Sequence, residues 1–325
     1  MYLDGLSRAL AEMRHFYDAV SAGLRSLSFW LPYQPAVARI CNLLCGAGEP
    51  AYALKVAEIA LSTDAEWAEA WYGKGMSLDE LGRPKDALAA LERATNLQRD
   101  LTEAWARKSS ILLQMSKKVR ESDKLAKVLT EAQLDDQARR LAQRALDAVQ
   151  MAIGLGLRGD EDTRYRVVTR MNRALILSQL DRHDEALDAV VSALELEPQN
   201  AKIHHNKGNI LIRARQYNAA LDAFGYAIWL DPELPNPWWA MVVLLGGHFD
   251  RQAEALFAVN HLLAMDPGNV PDLLVRGCIL AKLGRYQEAR FWIRYAQGHE
   301  NVLSLPAGPD GKRRSALDFL GPEDI

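Results

Sequence analysis

Apolar residues recur every three to four positions along most of the chain, which is the spacing that places them on one face of an α-helix. Turn residues interrupt this spacing at regular intervals, so that two helical stretches of about 14 residues make up one unit. Four of the predicted turns within units fall at Gly48, Gly82, Asp181 and Gly284. Three units end at Pro198, Pro232 and Pro267, because proline cannot continue a helix.

The units repeat with a period of 34 residues, which is the distance along the chain from Gly48 to Gly82. Small residues recur where the two helices of a unit would cross, since a larger side chain would push the helix axes apart. They are Gly75, Gly208 and Gly277 on the first helices and Ala87, Ala186, Ala220 and Ala289 on the second helices. One hairpin cannot bury its apolar face alone, so the sequence predicts an all-α solenoid of about seven stacked antiparallel helical hairpins.

Two of the units carry a more detailed signature of small, aromatic and apolar positions. The signature consists of Trp71, Gly75, Leu78, Gly82, Ala87, Leu91 and Ala94, and of Gly208, Leu211, Tyr217, Ala220, Phe224, Ala227 and Pro232. With these residues the chain resembles the tetratricopeptide repeat family. The resemblance implies a right-handed superhelix whose concave groove is lined by the first helix of each unit, and it implies that the groove holds a peptide or another protein.

The repeat frame divides the chain into five segments. Residues 34–115 form an N-terminal repeat block, and residues 167–298 form a C-terminal repeat block. Between them, residues 116–166 form one irregular repeat with about 24 extra residues, which we interpret as an additional or extended helix. Residues 1–33 carry a single apolar stripe, which fits either a cap on the first repeat or a coiled-coil dimer seam, and residues 299–325 predict a cap or tail.

Composition excludes several classes of protein. The chain has 39 Lys and Arg residues against 42 Asp and Glu residues, a net charge of −3, whereas proteins that bind nucleic acids usually carry a basic excess. Three cysteines are too few for a disulfide scaffold, and no apolar run reaches the ~18 residues needed to span a bilayer. We therefore expect free thiols and a soluble cytoplasmic protein.

The sequence contains no convincing motif for catalysis or for metal binding. Gly154, Gly156 and Gly159 match the spacing of a dinucleotide-binding loop, but no strand pattern precedes them, so a helix stop is favoured. His204 and His205 are adjacent, so their side chains would point apart on a helix. His204 also falls in the packing column that tryptophan fills in other units. We expect a protein that is not an enzyme and that needs neither a cofactor nor a metal.

The groove implied by the resemblance would be lined by asparagines. Asn172 and Asn206 occupy the same position in successive units, and Asn209 lies one helical turn beyond Asn206. An asparagine carboxamide offers both a donor and an acceptor, so a ladder of carboxamides can bind the backbone of an extended peptide without requiring a particular sequence.

Other residues of the same helix face would add charge and apolar contacts. Lys202 and Arg213 make this part of the groove positive and predict an acidic or carboxylate element in the bound segment. Trp239 and Met171 are candidates for selecting partner side chains. The candidate groove set is completed by His205 and Arg107.

The most direct interpretation is a non-catalytic scaffold or adaptor that binds an extended segment of a partner protein. Two alternatives stay open at this point. One is a structural scaffold that self-assembles into homo-oligomers through the ends of the array or the N-terminal helix. The other is an RNA-binding helical repeat protein, which is suggested by basic residues in the insertion, namely Lys117, Lys118, Arg120, Lys124 and Lys127.

Overall fold

A computed structural model describes residues 35–122, 130–156 and 163–298. These residues contain 14 α-helices and no β-strand, and 82% of them are helical, so the prediction of an all-α helical repeat solenoid is confirmed. The chain divides into two compact units after Leu180. Residues 1–33 and 299–325, for which the sequence predicts a cap, a coiled coil or a tail, lie outside the described residues.

The described part of the first unit consists of seven helices. They are α1 (Pro35–Gly46), α2 (Pro50–Thr63), α3 (Ala68–Glu80), α4 (Pro84–Leu97), α5 (Thr102–Arg120), α6 (Glu131–Leu155) and α7 (Thr163–Gln179). The pairs α1 and α2, α3 and α4, and α5 and α6 pack as hairpins, and α3 also packs on α2. Pro50 and Pro84 start α2 and α4, where proline is favoured because the first helical N–H has no partner within the helix.

The described part of the second unit also consists of seven helices. They are α8 (His183–Leu194), α9 (Ala201–Arg213), α10 (Tyr217–Leu230), α11 (Pro235–Gly247), α12 (Gln252–Met265), α13 (Val270–Lys282) and α14 (Tyr286–Gly298). The hairpins pair α9 with α10, α11 with α12, and α13 with α14. Below, the leading helix of each hairpin in either unit (α1, α3, α5, α9, α11 and α13) is called a first helix, and its partner (α2, α4, α6, α10, α12 and α14) is called a second helix.

The extra residues of the irregular repeat lengthen both helices of one hairpin. Helix α5 has 19 residues and α6 has 25, whereas α1 to α4 have 12 to 14. Ser116 donates a hydrogen bond to the Ala138 carbonyl at 2.8 Å, and Arg120 pairs with Asp135 at 3.0 Å, so the added turns remain packed together. A capping box starts α6, in which the Thr130 hydroxyl and the Gln133 side chain bond each other's backbone N–H groups.

The predicted turns are confirmed by backbone geometry. Gly48, Gly82 and Gly284 have positive φ values of 83°, 72° and 73°, which glycine adopts without steric cost. Asp181 has a φ of 62° at the equivalent place. Arg215 also has a φ of 60°, although it is neither glycine, asparagine nor aspartate, so its turn carries strain.

The small residues of the first helices lie where the second helix approaches most closely. A Cβ atom added to Gly208 would lie 2.4 Å from the Phe224 ring, and one added to Gly75 would lie 2.7 Å from Leu91. At Gly277 the corresponding distance, to Ile293, is 2.6 Å. The prediction that these glycines permit close crossing is therefore confirmed.

One hydrogen bond recurs at the start of four hairpins and ties each first helix to the turn before it. A ring nitrogen at the fourth position of the helix bonds the carbonyl six residues upstream. The pairs are Trp71 with Ala65 (2.8 Å), Trp105 with Arg99 (2.9 Å), His204 with Pro198 (3.0 Å) and Trp238 with Pro232 (2.9 Å). His204 thus replaces tryptophan in the packing column, as the sequence predicts.

Neighbouring hairpins share a continuous core. In the second unit, Trp238 and Val242 of α11 pack with Ala255 and Val259 of α12 and with Val275 of α13. Each hairpin therefore buries its apolar face against the next one, which is the source of stability in a stacked repeat. No helix in the described part of the chain is long and apolar enough to cross a membrane.

Candidate binding site

The candidate groove residues are distributed over both units. Met171 and Asn172 lie on α7 and Arg107 lies on α5 of the first unit. The other six lie in the second unit, with Lys202, His205, Asn206, Asn209 and Arg213 on α9 and Trp239 on α11. The predicted column of Asn172 and Asn206 therefore involves both units and stays a prediction.

The first-unit candidates are largely engaged within their own unit. The Arg107 guanidinium lies 3.0 Å from the Glu80 carboxylate and 3.6 Å from that of Asp79, so its charge is already paired. The Met171 side chain is only 7% exposed, so little of its surface is left for contact with a ligand. The sequence could not foresee either result, because both depend on how adjacent helices pack.

A tyrosine pair covers part of the same region, and only Tyr165 of the pair falls outside the inner-face positions that the sequence indicates. The Tyr165 hydroxyl of α7 donates a hydrogen bond to the Glu103 carbonyl of α5 at 3.3 Å. Burial raises the pKa of Tyr72 on α3, and Tyr165 beside it adds to the effect. The Tyr165 hydroxyl is thus already bonded to a backbone carbonyl within the first unit and is not available to a ligand.

The second unit has a different arrangement on its first helices. The side-chain amide of Asn209 lies 3.0 Å from Nε2 of His205, one turn away on α9. The His205 ring packs against the Phe224 ring with centroids 5.6 Å apart. Burial lowers the pKa of His205 from 6.5 to about 4, so the imidazole is neutral near pH 7.

This geometry fixes the proton of the His205 ring. Since the Asn209 amide donates to Nε2, the neutral imidazole carries its own proton on Nδ1. Nδ1 of His205 and Oδ1 of Asn209 are both buried, and neither has a hydrogen-bond partner in the described part of the chain. One donor and one acceptor are therefore left without partners side by side.

Trp239 adds a second donor of the same kind. It follows His205 by 34 residues and therefore occupies the same position in the next hairpin. Its Nε1 is buried and has no partner among the described residues. We call the side of α9 and α11 that carries His205, Asn209 and Trp239 the first-helix face.

The charged candidates on α9 are less uniform than the sequence suggests. Lys202 is exposed, but Arg213 lies 4.0 Å from the Asp181 carboxylate. Asp181, in the turn before α8, therefore offsets part of the positive charge that Arg213 gives this face. Asn206, between these residues on α9, is half-buried.

The described residues contain no group of three or more His, Cys, Asp or Glu side chains arranged to hold a metal ion. Cys41 and Cys278 are buried, Cys45 is half-buried, and none of the three, all of which lie in the described part of the chain, forms a disulfide. Burial raises the pKa of the Cys41 thiol to about 12, so this sulfur is a packing group rather than a nucleophile.

Comparison with known proteins identifies the repeat. Residues 42–101 and 171–235 match the family model described as tetratricopeptide repeat. A search of curated proteins finds no match.

Solved structures with similar folds have low sequence identity. MamA from Desulfovibrio magneticus RS-1, from its residue 41 to its end, is 16% identical, with 62% of this chain and 96% of that chain covered and a TM-score of 0.47. YrrB, described as a TPR protein with an unusual peptide-binding site, is 15% identical, with coverages of 67% and 95% and a TM-score of 0.45. TTC0263 of Thermus thermophilus is 16% identical, with coverages of 69% and 98% and a TM-score of 0.46.

Proposed function

The chain belongs to the tetratricopeptide repeat family, and we propose that it is a non-catalytic interaction scaffold that binds an extended segment of a partner protein on the first-helix face of its second unit. The observation that carries the proposal is the set of buried polar atoms without partners on His205, Asn209 and Trp239. A buried donor or acceptor left unpaired costs about 1–3 kcal/mol, so a ligand that displaces the covering side chains and pairs these atoms recovers part of that free energy.

The chemistry of these atoms matches a peptide backbone. His205 Nδ1 and Trp239 Nε1 are donors, and Asn209 Oδ1 is an acceptor. A peptide group has a carbonyl that accepts from such donors and an N–H that donates to such an acceptor. A carboxylate has no donor for Asn209, and an ammonium group has no acceptor for the two N–H groups.

Among the candidate groove residues, those of the second unit keep more polar atoms without a partner than those of the first. Arg107 is paired with Asp79 and Glu80 in the first unit, whereas His205 and Asn209 pair with each other and still leave one atom each. The Trp239 ring adds half-buried aromatic surface, which is the kind of side chain that dominates binding energy at protein interfaces.

The proposal includes one position at which an acidic residue of the partner would bind. Lys202 is exposed at the start of α9 and is suited to a carboxylate that flanks the backbone-binding segment. Arg213 contributes less, since Asp181 already faces it. The partner segment is therefore held mainly through its backbone, with charge as a secondary determinant.

The proposal can be tested without knowledge of the partner. A display library of random peptides of about 12 residues, long enough to extend ~40 Å, would be selected against the folded full chain. Selected peptides are expected to lose affinity at least tenfold in the double variant with Asn206→Ala and Asn209→Ala, and in Trp239→Phe, which keeps an aromatic ring but removes the N–H. Affinity would be measured by fluorescence anisotropy, and circular dichroism would check folding.

The matched control changes asparagines elsewhere in the array. Asn96 and Asn260 are exposed on second helices, and their replacement by alanine should leave the affinity unchanged. Equal affinity of the selected peptides for all variants would refute the proposal that they bind on the first-helix face. A mass that grows with concentration in light scattering, and that falls in the double asparagine variant, would instead favour self-assembly through this face.

A further inference from the structure

The second helices of the second unit expose large aromatic side chains. Trp229 of α10 is 69% exposed, Phe257 of α12 is 60% exposed and Phe291 of α14 is 58% exposed. Tyr226 and Tyr295 are each more than two-fifths exposed. Tyrosine and tryptophan are enriched at protein interfaces, where part of the ring is covered by a partner. Exposed rings in three successive hairpins therefore indicate a surface that a partner covers.

Four of these five side chains occupy repeated positions, since Tyr226 is equivalent to Tyr295 and Phe257 to Phe291. Trp229 lies three residues beyond Tyr226, and the position of Phe257 holds Asp222 on α10. Phe257 and Phe291 are 34 residues apart, and so are His261 and Tyr295. Within each helix the two positions are separated by four residues and therefore face the same way. Equivalent positions in stacked hairpins point to the same side, so the rings form one stripe across α10, α12 and α14.

Ring contacts hold the stripe in place. The Tyr226 and Trp229 rings of α10 are 5.3 Å apart, and Phe257 and His261 of α12 are 4.7 Å apart. On α14, Phe291 contacts the Trp292 ring at 5.1 Å. The side chains are thus preorganised, which reduces the entropy lost when a partner binds.

The area of this stripe is that of a binding site. An aromatic side chain buries about 150–250 Å² when fully covered. Five rings that are each about half exposed therefore offer roughly 500 Å², which approaches the ~800 Å² that each partner contributes to a stable interface. We call this stripe, formed by Tyr226, Trp229, Phe257, Phe291 and Tyr295, the second-helix aromatic surface.

Positive charge lies at one end of the second-helix aromatic surface. Arg290 and Arg294 flank Phe291 on α14, are exposed, and form none of the ion pairs found in the described part of the chain. The Arg276 guanidinium stacks 4.1 Å from the Trp292 ring centroid, and its Nε is buried without a hydrogen-bond partner among the described residues.

The charge decides between occupants. A second copy of the chain in a two-fold contact centred on α14 would bring its own arginines toward these ones, and like charges across an interface cost several kcal/mol. A nucleic acid would require a more extensive basic surface than three arginines on a chain of net charge −3. An acidic protein segment with apolar side chains satisfies both the rings and the arginines.

We propose that the second-helix aromatic surface is a second binding site, independent of the first-helix face, for an amphipathic helix of a partner protein whose apolar residues are flanked by Asp and Glu. Each second helix packs on the first helix of the next hairpin rather than on the next second helix, so the three second helices span more than ~20 Å. A helix of about 20 residues is ~30 Å long at 1.5 Å per residue and can reach all three. Apolar residues at i, i+3, i+4 and i+7 would meet the rings, as in other helix-binding surfaces.

The test uses two synthetic helices that differ only in charge. Each has about 20 residues with Leu and Phe on one face, and the flanking positions are Glu in one peptide and Lys in the other. Fluorescence anisotropy with the full chain should give an affinity at least tenfold higher for the Glu peptide. Phe291→Ser, and the double variant Arg290→Glu and Arg294→Glu, should each reduce binding of the Glu peptide at least tenfold.

Matched controls exist in the first unit. Ile59 and Arg93 occupy, on α2 and α4, the repeat position that Tyr295 occupies on α14, and both are exposed. Ile59→Ser and Arg93→Glu should leave binding unchanged, and so should His205→Ala, which alters only the first-helix face. All substituted residues except His205 are exposed, and circular dichroism would verify that every variant folds.

Four results would overturn the proposal. They are equal binding of the Glu and Lys peptides, no binding of either, binding of the Glu peptide that survives the α14 variants, and tighter binding of oligouridine RNA that those variants abolish. Self-association in analytical ultracentrifugation that is lost in Phe291→Ser would assign the surface to a second copy of the chain instead.

Discussion

Replacement of Gly208 by alanine is expected to destabilise the second unit, although alanine is normally the better helix residue. The new Cβ would lie 2.4 Å from Cε1 of Phe224 and 2.7 Å from two further ring atoms. The Phe224 ring is fully buried, so it cannot move aside without displacing its neighbours. Either the ring leaves its rotamer or α9 and α10 move apart.

The expected magnitude follows from two opposing terms. An extra methyl group in a well-packed core costs about 1–3 kcal/mol. Alanine in a helix interior regains about 1 kcal/mol relative to glycine. The net effect of Gly208→Ala is therefore a loss of about 1–2 kcal/mol from the free energy of unfolding.

Gly225 provides the matched control within the same hairpin. It lies inside α10, and an added Cβ there would meet no atom within 4 Å. Gly225→Ala should therefore stabilise the protein by about 0.5–1 kcal/mol. The two glycine-to-alanine changes thus differ in sign, although their chemistry is the same.

Urea unfolding followed by circular dichroism would measure both changes, and native-state hydrogen exchange of the α9 and α10 amides would localise them. Phe224→Leu should lower the free energy of unfolding by at least about 1 kcal/mol less in the Gly208→Ala variant than in the wild type, because the effects of substitutions at contacting residues are not additive. If Gly208→Ala stabilises as much as Gly225→Ala, or if no coupling to Phe224 is found, the close-approach argument is refuted.

Three further predictions concern protonation and turn strain. Burial lowers the pKa of His205 from 6.5 to about 4, so its contribution to the free energy of unfolding is complete above pH 6.5 and is lost as the pH falls toward 4. Lowering the pH from about 7 to 4 should therefore remove up to about 3 kcal/mol, and His205→Gln should flatten that part of the stability profile measured with urea. At Asp272, burial, aided by the charge of Asp266, raises the pKa from 3.8 to about 6, so the ionised carboxylate destabilises the folded state. Asp272→Asn should therefore increase the free energy of unfolding by up to about 3 kcal/mol near pH 7.5 and by nothing below pH 3.8, and an equal gain at both pH values would contradict the assignment. Arg215→Gly should raise the thermal midpoint by relieving about 0.5–1 kcal/mol of strain at its positive φ, and an unchanged or lower midpoint would show that the turn is not strained.

Local rules were sufficient for the repeat and its turns. A glycine or aspartate at a fixed place in a 34-residue period predicts a left-handed turn, and Gly82 and Asp181 both adopt one. A glycine opposite a large residue predicts close helix crossing, as found for Gly208 and Phe224. These features depend on residues within one hairpin, so the sequence contains all the information that they need.

Features that depend on how helices stack were harder to predict. Periodicity places Met171 on the inner side of its helix, but packing in the first unit leaves it buried. Tyr165 reaches Glu103 from the first turn of α7, at a place that the repeat frame does not include. The insertion was also ambiguous, because a charged segment with no turn signal fits an added helix as well as the two lengthened ones that are found.

The second-helix aromatic surface could have been predicted from the sequence, but a search limited to groove residues on first helices does not examine it. Phe257 and Phe291 recur at the repeat period on second helices, where a solvated face would be polar. The equivalent positions in the first unit hold Lys55 and Ala89, which suit solvent. Comparison of the same position across hairpins therefore separates a binding surface from a packing surface.

The same comparison explains why both proposed sites lie in the second unit. In the first unit, lysines at the seventh position of a first helix pair with a glutamate of the preceding hairpin, as Lys74 does with Glu58 at 3.3 Å and Lys108 with Glu92 at 3.5 Å. On α9 and α13 of the second unit this position holds Lys207 and Arg276, with Val191 and Asn260 in place of the glutamates, whereas α11 has Met241 there. At α9 the loss of the acid leaves a lysine without that pair and an exposed valine, which a stable repeat does not need and a binding surface can use. Restoring the pair with Val191→Glu should therefore stabilise the second unit by no more than about 1 kcal/mol in urea unfolding, since exposed ion pairs contribute little. A much larger gain would mean that the missing acid is a packing defect of this repeat rather than a feature of a binding surface.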